Sequence, residues 1–198
     1  MAIEDFAVFD IYLIRHGETE WNVEGRFQGK LDSSLTKTGV SQAEAIARKL
    51  ADLNIQADAF LTSPLGRTRQ TASIIANHLK LPDLKFDERL AEVSVGSWDG
   101  LTHYDIDAQW PRVLDGSTHF DWFFRSPDGE SYEMAVQRAK SWLDNTSGVV
   151  LAVSHGLIGR IIRGAYLSLP KIEVISLPVP QDVIWRLSGG KIERIALE

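Results

Sequence analysis

The chain has no cysteine among its 198 residues, which excludes disulfides, thiol catalysis and cysteine-ligated metals. It also lacks an excess of basic charge. Its 21 Lys plus Arg stand against 27 Asp plus Glu, and the net charge of −6 argues against broad nucleic-acid binding. No run approaches the roughly 18 to 20 apolar residues of a membrane-crossing helix. Met1 to Asp10 carries Glu4, Asp5 and Asp10 without a basic residue, so it does not read as a signal peptide. No repeat, low-complexity run or composition break divides the chain, which predicts a single domain over 1–198. These exclusions predict a cytoplasmic protein, a monomer or homodimer, with neither membrane nor nucleic acid as partner. The remaining composition, 44% hydrophobic and 24% charged, is that of an ordinary globular chain. Any anion site has to be built locally, against the overall field.

The chemistry begins where an apolar run stops. Ile11-Tyr12-Leu13-Ile14 predicts a strand buried on both faces of a parallel sheet, and Arg15-His16-Gly17 follows at once. Arg15 and His16 then stand at the carboxyl end of a strand, the edge where open α/β sheets bind ligands. Gly17 is expected to leave the strand in a backbone conformation closed to other residues. A second strand, Asp58 to Thr62, is followed by Ser63 as N-cap and Pro64 in the first turn of a helix, with Thr68, Ala72, Ile75 and Leu79 inward. Such a helix start offers free N–H groups to an anion, and Arg67 falls in its first turn; in isolation Arg67 reads as a surface arginine. The third case is Val149 to Val153, then Ser154-His155-Gly156 and a helix to about Leu167. If the three strands are parallel neighbours, as alternating βα units imply, Arg15, His16, Arg67 and His155 meet at one edge.

Between these segments, Glu18 to Ser34 reads as a long polar loop in which Asn22 and Arg26 are the better oxyanion donors and Lys30 a solvated residue. Thr36 caps a helix to about Leu53. Glu92 sits among apolar residues, as a partly buried carboxyl with a raised pKa or as a loop carboxylate paired with Arg89 or another cation. The aromatic run His119 to Arg125 is either a lid or plain packing, with packing favoured. Asp128 is expected to cap a helix whose stripe is Tyr132, Ala135, Val136, Ala139, Trp142 and Leu143. Asp182 to Leu187 and Lys191 to Leu197, around Ser188-Gly189-Gly190, predict a hairpin edging the sheet.

The run Leu13-Ile14-Arg15-His16-Gly17-Glu18-Thr19-Glu20-Trp21-Asn22 is similar to the signature of the histidine phosphatase superfamily, also called the phosphoglycerate mutase-like family. The likeness continues through Gly25-Arg26-Phe27-Gln28-Gly29, Ser63-Pro64-Leu65-Gly66-Arg67, Glu92 to Gly100, Pro127 to Ser131 and Ser154-His155-Gly156. This resemblance implies a three-layer α/β/α sandwich with a mostly parallel central sheet and a loop or helical lid insertion at about 92–128. It implies His16 as phosphorylated nucleophile, Arg15, Arg67 and His155 as phosphoryl ligands, Asn22 as a further ligand and Glu92 as proton donor. Arg26, Gln28, Gly29, Gly156 and Leu157 match its phosphate- or substrate-binding positions, and no cofactor or metal is implied. Three residues depart from the pattern: Ser34 where proline is common, Thr68 where alanine is common, and Leu157 where a small residue often follows the motif.

The roles agree with elementary chemistry, since neutral imidazole attacks phosphorus, and guanidinium groups lower its pKa and neutralise equatorial oxygens. The implied activity is hydrolysis of a small phosphorylated metabolite, because Glu92 to Gly100 is more similar to the phosphatase branch than to the mutases. Phosphoglycerate mutase activity is the alternative, and a non-catalytic phosphate-binding module ranks below it. A nucleotide binder outside the family would need a Gly-x-Gly-x-x-Gly or P-loop lysine motif, and neither occurs.

Overall fold

The computed structural model describes residues 9–117 and 121–197. Its strands are β1 (Phe9–Arg15), β2 (Ala59–Thr62), β3 (Leu84–Phe86), β4 (Gly148–Ser154), β5 (Val183–Ser188) and β6 (Lys191–Ala196). Its helices are α1 (Glu20–Glu24), α2 (Lys37–Asp52), α3 (Gly66–Ala76), α4 (His103–Gln109), α5 (Tyr132–Asp144), α6 (Gly156–Tyr166) and α7 (Lys171–Ser176). The sheet runs β3-β2-β4-β1-β5-β6. Its first four strands are parallel, and the terminal hairpin adds β5 and β6 antiparallel at one side.

Alternation along β1 sets the layers. Ile11 and Leu13 pack with Val150 and Ala152 of β4 against Trp142 of α5 and Ile158, Ile161 and Ile162 of α6. Tyr12 and Ile14 pack on the other face with Leu151 and Val153 against Ile46 and Leu50 of α2 and Ala72 and Ile75 of α3. Successive strand residues face opposite ways, so an all-apolar strand needs a helical layer on each side. The outcome is the three-layer α/β/α sandwich with a mostly parallel sheet. Each fully buried isoleucine of α6 contributes roughly 1.5–3 kcal/mol. That docking fixes the start of α6, and with it His155, against the sheet edge.

Several local expectations change. Gly17 is not among the glycines of positive φ. It is small because α2 passes close by: a Cβ there would lie 2.3 Å from the Gly39 carbonyl oxygen, and one on Gly39 would lie 2.0 Å from that of Glu18. The first turn of α2 is thereby pressed onto the loop leaving the nucleophile strand. Helix α3 starts at Gly66 with Leu65 at the cap position, not at Ser63-Pro64. The delay coincides with Thr68, whose single hydroxyl proton is shared between the carbonyls of Leu65 at 2.7 Å and Ser63 at 2.9 Å and ties the preceding turn to α3. Ser131, not Asp128, caps α5, and Asp128 instead accepts the Ser97 N–H and hydroxyl, both at 2.9 Å. The polar stretch after β1 contains α1, whose capping box joins Thr19 and Asn22. The hairpin forms as expected, with Gly189 and Gly190 at φ 53° and 73°, the backbone a two-residue turn of this twist demands.

His119 and Phe120 lie outside the described residues. In the rest of that run Trp122 is buried with Trp98, Val95 and Ile106 in a third apolar cluster, so packing accounts for it. Phe123 packs on the same cluster and also reaches the cleft described next.

Candidate active site

The parallel strands end together. Arg15 pairs with Ser154, the His16 N–H donates to the Ser154 carbonyl at 3.0 Å, and the Ser63 N–H donates to that of Val153 at 3.0 Å. The residues that follow each strand, His16, Ser63 and His155, therefore converge at one sheet edge. The two imidazole rings meet edge to face, 5.3 Å between centroids, and Arg67 Nε lies 3.3 Å from His16 Nε2. Beside them opens a cleft of about 270 Å³, lined by Arg15, His16, Asn22, Arg67, Glu92 and Arg160 among others.

The tautomer of His16 follows from its partners. The Gly17 carbonyl, 2.8 Å from Nδ1, can only accept, and the Arg67 Nε–H can only donate. The ring proton is therefore on Nδ1, and Nε2 carries the lone pair. Burial lowers the pKa well below 6.5, and Arg15 and Arg67 lower it further, against a small upward push from the Gly17 bond. His155 is likewise held well below 6.5 by burial and then by Arg67, His16 and Arg15. Its Nε2 lies 2.7 Å from Ser63 Oγ, which already accepts the Leu65 N–H. Ser63 Oγ has one proton and a second lone pair, so it can donate to Nε2, which puts the ring proton of His155 on Nδ1, or accept from Nε2. That Nδ1 and Arg15 Nε are buried with no hydrogen-bond partner among the described residues. Orphaned polar groups of this kind at one sheet edge fit an anion. Gly156 faces the Arg15 guanidinium, and a Cβ there would meet Arg15 Nε at an ordinary contact distance of 3.4 Å. His155 does not itself line the main cleft; it stands behind His16.

Arg67 is 1% exposed, so the surface reading fails. An unpaired guanidinium at that depth costs several kcal/mol, and the fold supplies acceptors. NH1 donates to Leu31 O at 2.6 Å and Asp32 Oδ1 at 2.8 Å, NH2 to Gly29 O at 2.9 Å, and Nε to His16. Of its five N–H donors one on NH2 remains for a ligand. The anion site expected at the start of α3 is already taken: Asp32 accepts the N–H groups of Gly66 at 2.7 Å and Arg67 at 3.1 Å. The helix start thus binds a carboxylate of the chain, and that carboxylate orients Arg67.

Glu92 has a comparable place on α6. Its Oε1 accepts from the Val93 and Ile158 N–H groups, both at 2.9 Å, and its Oε2 from that of Leu157 at 3.2 Å. It is not paired with Arg89, whose guanidinium binds Asp87 and the Ser141 carbonyl. Leu157 does not offer its N–H to the cleft, because Glu92 holds it, and its side chain is buried in the core. Asn22 lines the cleft with its Oδ1 engaged by the Thr19 N–H at 3.2 Å. Arg26, at the rim, is tied to Glu24 and the Gly100 carbonyl, with Asp105 at 3.6 Å. Gln28 lines the cleft but spends both ends of its amide on Thr19 and Ser33, which makes it a brace for the loop. Gly29 reaches Arg67 through its carbonyl.

Three participants were not singled out from the sequence. Arg160 lines the cleft one helical turn beyond Gly156, and the spacing i, i+4 on a helix starting at the sheet edge was the available signal. Asp32 lay in a polar loop and Gln181 between a proline-rich stretch and β5, where nothing local marks them. Among the described residues no group of three or more His, Cys, Asp or Glu is placed to hold a metal ion. No helix there is long and apolar enough to cross a membrane.

The fold and the cleft define a class: an α/β sandwich of the phosphoglycerate mutase-like kind, with neutral imidazoles and buried guanidiniums gathered at the carboxyl edge of its parallel strands. Residues 11–189 match the histidine phosphatase superfamily (branch 1), and the chain belongs to that superfamily. A curated relative, the probable phosphoglycerate mutase GpmB of Escherichia coli, is 33% identical over 94% of this chain and 92% of its own. Among solved structures, YhfR of Bacillus stearothermophilus is similar at 32% identity and a TM-score of 0.79, covering 95% of this chain and 96% of that one. A mycobacterial glucosyl-3-phosphoglycerate phosphatase in complex with VO3 is similar at 28% identity and a TM-score of 0.73, covering 94% and 96%.

Proposed function

We propose that this chain is a phosphatase of the cytoplasm that hydrolyses a small phosphorylated metabolite through a phosphohistidine on His16, with arginines supplying the neutralising charge. The observation that carries the reading is the buried, neutral His16, whose Nε2 lone pair sits beside Arg67 on a cleft also lined by Arg15. In the first step the Arg67 Nε–H passes from His16 Nε2 to a phosphoryl oxygen, the freed Nε2 pair attacks phosphorus, and the P–O bond to the alcohol breaks. Arg15, Arg67 and Asn22, which line the cleft, hold the equatorial oxygens, with His155 at the same sheet edge as a further phosphoryl ligand. The leaving oxygen takes its proton from Glu92. Oε1 of Glu92 already accepts two N–H groups and Oε2 only one, so Oε2 is the oxygen that carries the proton. In the second step the Glu92 carboxylate takes a proton from water, the hydroxide oxygen attacks phosphorus, the P–N bond breaks and His16 returns neutral.

The cleft volume of about 270 Å³ suits a small ester. It lies below the roughly 300–1,000 Å³ of a drug-sized site. We place the described residues of 92–128 as the cover of this cleft within one domain, since Glu92, Val93, Val95 and Phe123 all line it. The solved relative that holds VO3, an oxyanion like phosphate, supports an oxyanion site in this fold. Phosphoglycerate mutase activity stands as a second reading on the likeness to GpmB. The deciding experiment is a phosphate-release screen over phosphorylated sugars, sugar acids, amino acids and nucleotides with chelator present, run beside a 3- to 2-phosphoglycerate interconversion assay. Phosphate release with an acid-labile phosphoenzyme is the expected result; interconversion without release would install the mutase reading.

Glu92→Gln separates the proton donor from the rest of the site. Esters with alkyl leaving groups are expected to slow by about 10²–10³-fold more than aryl phosphates, whose phenolate departs without a proton. Equal slowing of both would remove Glu92 from that role and leave it as the cap of α6.

A further inference from the structure

We propose that Gln181 is a positioning residue: it presents the Asn22 amide N–H to the phosphoryl group and anchors the backbone of His16. The inference rests on the oxyanion site described above. The Gln181 Nε2 donates to the His16 carbonyl at 3.3 Å and to Asn22 Oδ1 at 3.1 Å, so both of its N–H groups are committed. Neither amide can be turned over. A carbonyl oxygen only accepts, which fixes Nε2 of Gln181 toward His16, and the Thr19 N–H only donates, which fixes Oδ1 of Asn22 toward Thr19. Asn22 Oδ1 thus receives two donors, and the Asn22 Nδ2, with no partner among the described residues, is left for the cleft that Asn22 lines.

Gln181 is itself held. It follows Pro178, Val179 and Pro180, and the carbonyls of that segment accept from two buried guanidiniums: Arg163 NH2 donates to Pro178 at 2.6 Å and Arg15 NH1 donates to Val179. Arg163, 3% exposed, is further clamped by the Gly159 carbonyl at 3.2 Å and by the Trp185 ring at 4.2 Å. Arg15 therefore bridges the cleft and the strap that carries Gln181. The entry into β5, far along the chain from β1, closes the site from behind through Asn22.

Orthovanadate binding, read by calorimetry on the whole chain, tests this without turnover. Gln181→Met keeps the length and removes both donors, and it is expected to weaken vanadate about tenfold, the effect of one misplaced charge-assisted hydrogen bond. Asn22→Ala is expected to weaken it about 30-fold, and the double variant no more than about threefold beyond Asn22→Ala, because the second change acts through the first. Thermal melts of each variant show that it is folded. Unchanged affinity in Gln181→Met, or fully additive losses in the double variant, would overturn the positioning role while leaving the oxyanion site intact. Failure of the unmodified protein to bind vanadate would overturn the site reading and this inference together.

Discussion

His16→Ala is expected to lower phosphate release from every substrate by at least about 10⁴-fold and to abolish the acid-labile phosphoenzyme. The size follows from what the ring does. Its Nε2 is a buried, unprotonated ring nitrogen whose lone pair accepts the Arg67 Nε–H until a phosphoryl group takes that donor. Removing it takes away the covalent route, and the arginines alone can only orient water toward the ester. The change should leave the fold standing, because the ring's own hydrogen bonds are local, to the Gly17 carbonyl and the Arg67 Nε, while the His16 backbone stays paired with Ser154. Rapid-quench labelling with a phosphorylated substrate and a melting curve measure the two outcomes together. Retained turnover in a folded His16→Ala protein would end the phosphohistidine proposal, whatever the substrate.

The parts of this architecture visible in the sequence are those written in short stretches. Ile11 to Ile14 and Val149 to Val153 carry the layering in their unbroken apolar runs, and the residues just after each run land at the sheet edge because a parallel strand has only one carboxyl end. The parts that were hidden depend on partners far away in the chain. Gly17 looked like a backbone requirement and is instead a contact requirement set by Gly39. Ser63 looked like a cap, but the helix starts at Gly66, and the hydroxyl of Thr68 ties the preceding turn to it. Asp32 could not be distinguished from any loop aspartate until the start of α3 was seen to point at it. Glu92 shows the same limit: its partial burial was readable, but its engagement with the first turn of α6 was not. In both places the helix start binds a carboxylate from the chain, and the cleft is left to side chains.

The two neutral imidazoles also predict an acid limit on stability. In the unfolded chain each histidine takes up a proton near pH 6.5, whereas burial and the neighbouring arginines hold His16 and His155 well below that value in the fold. Below pH 6.5 the unfolded state therefore binds more protons than the native one, so unfolding gains free energy as pH falls and stability rises with pH. With two such groups the slope rises from about 2 kcal/mol per pH unit at pH 6 toward a ceiling of about 2.7, and it vanishes above about pH 7.5, where both states are neutral at these sites. Urea unfolding at pH 7.5, 6.0 and 5.0 reads it directly. His155→Asn removes one of the two groups and is expected to halve the slope, even if it lowers stability at every pH. A slope left unchanged by this substitution would mean that His155 takes up its proton in the native state. Both ring nitrogens would then be donors, Nε2 toward Ser63 Oγ, and the site would hold an imidazolium beside Arg15 and Arg67 where the proposed reading needs a neutral ring.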